Sequence, residues 1–182
     1  MSSVKKITVC SICAALCYVL PLAFHAVALG SVLSPMHLPV FLCGLICGWQ
    51  YGLICGVVGP LLSSLLSGMP PASQLFHMIP ELCVYGAVCG LLMQVIRTKR
   101  LSADLYLSLI PAMIIGRVVA GVVRAVVYTS SAQSYSIALW AASYFVESAP
   151  AIIAHLAVIP GLVMILMKAR LIPPRYALNK SC

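Results

Sequence analysis

The stretch "LPVFLCGLICGWQYGLICGVVGPLLSSLLS", residues 38–67, runs for 30 residues without a charge. Whether it crosses a membrane once or twice decides the fold. Glycines at 44, 48, 52 and 56 recur every fourth residue, so the pattern alone permits one continuous helix with a glycine face. The rest of the chain removes that ambiguity. Only 8% of its 182 residues are charged and 63% are hydrophobic, with a mean hydropathy of +1.10. A soluble domain carries roughly 25% charged residues. So few charges cannot cover a water-facing surface, and the chain reads as an all-α polytopic membrane protein. Its length suits one domain, residues 1–182, of about five or six crossings.

The net charge of +8 is explained by position. Lys5 and Lys6 lie at the start, Arg97, Lys99 and Arg100 in the middle, and Lys168, Arg170, Arg175 and Lys180 at the end. Short basic clusters beside apolar spans mark cytoplasmic loops, and no basic stripe with interleaved aromatics follows a nucleic-acid backbone. Clear spans occupy 7–29, 74–96, 104–127 and about 138–167. The N-terminus and the 97–100 cluster share a side, so an even number of crossings separates them. Residues 38–67 must therefore cross twice, which gives six transmembrane helices with both termini cytoplasmic.

The turn within 38–67 is expected at Trp49-Gln50-Tyr51-Gly52, where glycine permits a reversal. Leu38–Gly48 then makes a helix of about 16 Å, too short for a hydrocarbon core of about 30 Å. The segment before it, Gly30–Pro39, must dip into the membrane, which backbone tolerates only when packed in protein or lining a cavity. Residues 30–37, 68–73 and 129–137 form the outer loops, and none carries a charge. Residues 1–28 share features with a signal peptide: Lys5 and Lys6, then Ala26-Val27-Ala28. The apolar run from Ile7 exceeds the roughly 7–15 residues of a signal core, so it reads as a retained first helix.

Charge inside a span costs roughly 2.5–3.5 kcal/mol on insertion scales. His77, Glu81, Arg117, Arg124 and Glu147 all fall in the outer halves of spans. Two readings stay open. The charges form ion pairs, Glu81 with Arg117 and Glu147 with Arg124; or they line a small-molecule pocket, with arginine forks for a carboxylate or phosphate and acids for an amine or ring nitrogen. His77 and Glu81 do not make the H-E-x-x-H pattern, and no Ser/His/Asp set occurs, so no metal site, cofactor or enzymatic activity is expected. His25 and His155 read as isolated core histidines. Asp104 suits a helix N-terminus at the inner interface. Tyr128, Trp140 and Tyr144 either stack on a ligand ring or form the outer aromatic belt.

Eight of the nine cysteines precede residue 90 and fall within apolar spans, where cysteine behaves as a small hydrophobe allowing close helix contact. Cys10-Ser11-Ile12-Cys13 is formally C-x-x-C but has no accompanying histidine or second pair. A redox or zinc role is the alternative. No G-x-x-x-x-G-K-[ST] loop is present, so uphill transport would need a partner ATPase or an ion gradient. The second option is an ion-coupled secondary transporter of a small organic solute.

Ser34-Pro35-Met36-His37-Leu38-Pro39-Val40-Phe41-Leu42-Cys43-Gly44, then Gly48-Trp49-Gln50-Tyr51-Gly52, Gly56, Pro60, Ser64 and Gly68-Met69-Pro70-Pro71, carry a resemblance. So do Glu81-Leu82, Tyr85-Gly86 and Gly90, and Gly116-Arg117 with Gly121. Together they resemble the substrate-binding S components of energy-coupling factor (ECF) vitamin transporters. The resemblance implies an outward-facing pocket near the outer ends of helices 4 to 6, closed by the loop between helices 1 and 2 as a lid. It implies capture of a small vitamin-like molecule and docking on a membrane coupling protein with two ATPases, in a bacterial-type cytoplasmic membrane. Docking in the family uses small residues four apart on helix 1. Here these are Cys10 and Ala14, with Ser11 and Ala15 beside them, and Cys10 departs from the usual alanine. Met1-Ser2-Ser3 lacks the Met-His start of nickel and cobalt carriers. The pattern is closer to the broad group containing pantothenate, folate and pyridoxine carriers. His37, stiffened between Pro35 and Pro39, falls where the lid meets its ligand, as a contact or as a brace for the loop.

Overall fold

The computed structural model describes residues 1–26, 34–130, 142 and 148–173. Six α-helices and no strands are found among them: α1 Ser3–Ala26, α2 His37–Cys47, α3 Trp49–Ser67, α4 Ala72–Val95, α5 Leu101–Ser130 and α6 Ala149–Lys168. Five are long and apolar enough to cross a membrane, and α2 is the short one. The chain is an all-α membrane protein. Its outer surface is apolar: Leu65, Val95, Ile153 and Phe76 are all exposed, an arrangement that water would penalise and lipid does not.

Charge parity had required the 38–67 stretch to break into two helices, and it does. The break falls one residue earlier than expected, at Gly48, with φ 102° and ψ 171°. A side chain there would strain the backbone, and a Cβ would also meet the Gln94 amide at 2.6 Å. Trp49 to Gly52 are already the first turn of α3. Gly52 serves another purpose: α3 crosses α4 so closely that a Cβ on Gly86 would strike the Gly52 backbone, and one on Gly52 would strike the Gly86 carbonyl. The glycine repeat is therefore a helix-crossing signal on both sides of a turn.

Short α2 lies in the middle. It packs against α1, α3, α4 and α6, and Pro39 through Leu45 are all buried. A helix that is apolar all round has no solvent face, and here its neighbours bury it on every side. Of the segment expected to dip, residues 34–36 before the helix are described, and Met36 packs inward. Met36 is 3% exposed, and the Cys17 thiol, roughly midway along α1, donates to the Met36 carbonyl at 3.7 Å. The Met36 backbone is thus packed in protein, the condition under which a bilayer tolerates irregular backbone.

At the opposite end of the chain's first hairpins, Lys6 lies 5.7 Å over the Tyr51 ring, and the Cys47 thiol donates to the Lys6 carbonyl. The break at Gly48 thus sits at the level of the basic N-terminus. Serines in the last turn of α3 close the 68–71 turn: Ser63 Oγ donates to Met69 O at 2.7 Å and Ser64 Oγ to Pro70 O at 3.0 Å. Asp104, one turn into α5, is fully buried. It accepts from Thr98 N at 2.9 Å and Thr98 Oγ1 at 2.6 Å, which ties the basic 97–100 segment to α5. The expected loop 129–137 begins inside α5, which continues to Ser130. The remainder of that loop and the first part of the last expected span lie outside the described residues.

Candidate functional site

Three helices and the root of the α1–α2 loop converge on one polar cluster in an otherwise apolar bundle. On α4, His77, Glu81 and Tyr85 follow at i, i+4 and i+8, so they share one face. Glu81 and Tyr85 are buried, and the Tyr85 hydroxyl donates to Glu81 Oε1 at 2.5 Å. From α5, Arg117 Nε donates to the same hydroxyl at 3.3 Å, while Nη1 reaches Ser148 Oγ, just before α6, at 2.9 Å. A carboxylate, a phenol, a guanidinium and a serine are thereby joined in one chain of hydrogen bonds. The residues expected as a direct Glu81–Arg117 pair have the Tyr85 hydroxyl between them. This arrangement suits a membrane interior, where an unsatisfied polar group costs several kcal/mol.

The loop root completes the cluster. His37 Nε2 lies 3.9 Å from Glu81 Oε1, and its Nδ1 lies 3.1 Å from the Ser34 carbonyl, which also accepts from the His37 backbone N–H at 3.1 Å. His37 therefore braces its own loop with one ring edge and faces the carboxylate with the other. Phe41, one turn further along α2, stacks on Tyr85 with centroids 4.8 Å apart at 27°. His155 of α6 is 4% exposed, with its ring centroid 5.9 Å from His37 and 6.1 Å from Phe41. It is a core histidine, but not an isolated one.

The sequence candidates divide accordingly. His37, Glu81 and Arg117 meet in the cluster. His77 and Arg124 lie further along the same helices, both half-buried and within electrostatic reach of one another and, for His77, of Glu81. Trp140, Tyr144 and Glu147 lie outside the described residues, as do the side chains of His25 and Tyr128. Sequence reasoning missed Tyr85, Phe41, Ser148 and His155. Tyr85 left a readable trace, four residues after Glu81 on the same face.

On the other side of the bundle, α1 packs against α3 and leaves a groove of about 230 Å³. Cys10, Ser11 and Ala14 line it, with Ile7, Tyr51, Ile54, Cys55 and Val58. Ala15 is exposed beside it. The Ser11 hydroxyl folds back onto the Ile7 carbonyl at 3.0 Å, so the α1 side of the groove offers small residues with that hydroxyl already satisfied.

A family model described as "ECF transporter, substrate-specific component" matches residues 5–176. Neither the curated proteins nor the solved structures gave a significant match.

Proposed function

Because the chain belongs to the substrate-specific components of ECF transporters, we propose that it captures a small vitamin-like organic molecule at the His37–Glu81–Arg117 cluster and its outward extension. The family makes it a substrate-binding transporter subunit and not an enzyme. The observation that supports this site is the convergence of a loop root and three helices on one buried polar chain, with rings from Phe41, Tyr85 and the two histidines beside it. Charged groups facing a membrane interior are costly and mark binding paths. His37 and Glu81 would meet a polar edge of the ligand, Arg117 and Arg124 an anionic group, and Phe41 or Tyr85 a ring. His77, Tyr128, Trp140, Tyr144 and Glu147 would line the outer part of the pocket. The loop between α1 and α2 would act as the lid, with His37 as its hinge-side brace.

The groove at Cys10, Ser11 and Ala14, with Ala15 at its margin, is the face we assign to docking on a membrane coupling protein with two ATPases. Both termini would face the cytoplasm of a bacterial-type cell. Purified protein is expected to retain one small molecule at near 1:1, identifiable by mass spectrometry. Uptake is expected only when the coupling module and ATP are supplied. Arg124→Ala and Glu81→Gln should each weaken ligand binding by about tenfold or more, the loss of one charged hydrogen bond, with the fold intact. Uptake by the isolated protein under a proton gradient would replace this reading with that of a secondary transporter.

A further inference from the structure

Six cysteines from three helices gather beneath the α1–α3 groove. Cys10, Cys13 and Cys17 come from α1, Cys43 and Cys47 from α2, and Cys55 from α3. All but Cys10 are buried, and all six are free thiols. They are packed against one another: Cys43 interacts side chain to side chain with Cys10, Cys13, Cys47 and Cys55, and Cys17 with Cys55. Two of them share one acceptor. Cys43 Sγ lies 3.4 Å and Cys10 Sγ 3.7 Å from the Tyr51 carbonyl oxygen, which turns thiols from two helices toward one carbonyl. Helix packing alone asks for small side chains here, and alanine would supply them without a thiol.

We propose that Cys43 and Cys10 form a two-thiolate site for a soft monovalent d10 metal ion, Cu(I) being the test case, entered from the groove. Thiolates select Cu(I) among biological cations. No three histidine, cysteine, aspartate or glutamate side chains among the described residues make a metal-binding group. Two thiolates match the linear two-sulfur coordination that Cu(I) and Ag(I) accept. Cys10 and Cys55 line the groove of about 230 Å³, so the ion has an entrance, and Cys10 is the outer ligand. Binding exchanges two S–H bonds for two metal–sulfur bonds with no change of oxidation state, and the two protons leave through the groove. The bound unit carries one net negative charge. Lys6 is the cation at this end of the groove: its ammonium lies 5.7 Å over the ring of Tyr51, the residue whose carbonyl both thiols face. The metal would fasten α1 to α2 directly beneath the groove.

The test uses the purified full-length protein in detergent, without coupling module or organic ligand, so it is independent of the transport reading. Cu(I), held reduced with ascorbate, is titrated against bathocuproine disulfonate as competitor. One ion per chain is expected, with X-ray absorption reporting two sulfur donors. Cys43→Ser and Cys10→Ser should each weaken binding by at least about tenfold, since loss of even an outer-shell partner brings that much. Cys83→Ser, a half-buried cysteine on α4, should leave it unchanged. If Cys43→Ser does not fold, the wild-type chain still decides the matter: Cu(I) or Ag(I) should protect Cys10 from alkylation by a maleimide. No tight binding, nitrogen or oxygen donors in the absorption spectrum, equal affinity in the Cys10 and Cys83 variants, or unprotected Cys10 would each overturn the site.

Discussion

Replacing Tyr85 by phenylalanine removes one oxygen atom from the centre of the polar cluster. Tyr85 is 1% exposed, and its hydroxyl is the atom that both Glu81 and Arg117 use. A hydrogen bond to a charged group contributes about 1.5–3 kcal/mol. The 2.5 Å bond to Glu81 belongs in that range. The 3.3 Å bond from Arg117 is long and belongs at or below its lower end. The ring and its stacking on Phe41 at 4.8 Å survive the change, so no cavity term enters. The expected loss is about 2–3 kcal/mol, set by a buried carboxylate deprived of its short donor. Reversible unfolding of purified protein in mixed detergent micelles would measure it. A double-mutant cycle with Glu81→Gln should show a coupling of about 0.5–3 kcal/mol. Stability within about 0.5 kcal/mol of wild type, typical of an inconsequential surface change, together with additive single effects, would refute the idea that this hydroxyl holds the cluster together.

Other perturbations probe separate parts of the same argument. Gly116→Ala drives a Cβ into Cε1 and Cδ1 of the Tyr85 ring. The variant should fold but bind ligand about tenfold more weakly, as for a lost hydrogen bond to a charged group, and unchanged affinity would show that the ring has room to move. Gly86→Ala drives a methyl group into the Gly52 backbone at the α3–α4 crossing. It should destabilise by about 1–3 kcal/mol through overpacking, read by the same unfolding assay. Thr98→Val leaves fully buried Asp104 without its 2.6 Å hydroxyl donor. A loss of about 1–3 kcal/mol is expected, with ligand affinity unchanged because the inner loop is remote from the cluster.

The family resemblance, the membrane class and the six-helix topology were legible because they depend on properties that add along a chain. Hydropathy sums over a window, basic clusters mark a side, and parity of crossings follows by counting. The break near Gly48 followed from charge parity, and the expectation that the segment before α2 packs inward followed from helix length against bilayer thickness. Even the polar candidates were visible, since charge in an apolar span stands out wherever it points.

Rotation about each helix axis was not legible. An amphipathic helix announces its buried face, but α2 and α6 are apolar nearly all round, so no periodicity indicates which residues turn inward. For that reason His155 looked isolated in sequence and proved to lie beside His37, and Tyr85 rather than a bare ion pair came to join Glu81 to Arg117. The cysteines show the same limit. In sequence, six of them are small apolar residues scattered over α1, α2 and α3, and only the packing of those helices brings them together. Composition and charge order determined that this chain lives in lipid, how often it crosses and which groups are out of place there. Tertiary structure alone decided which of those groups meet, because contact in a bilayer is set by shape and hydrogen bonding between helices and not by a hydrophobic face.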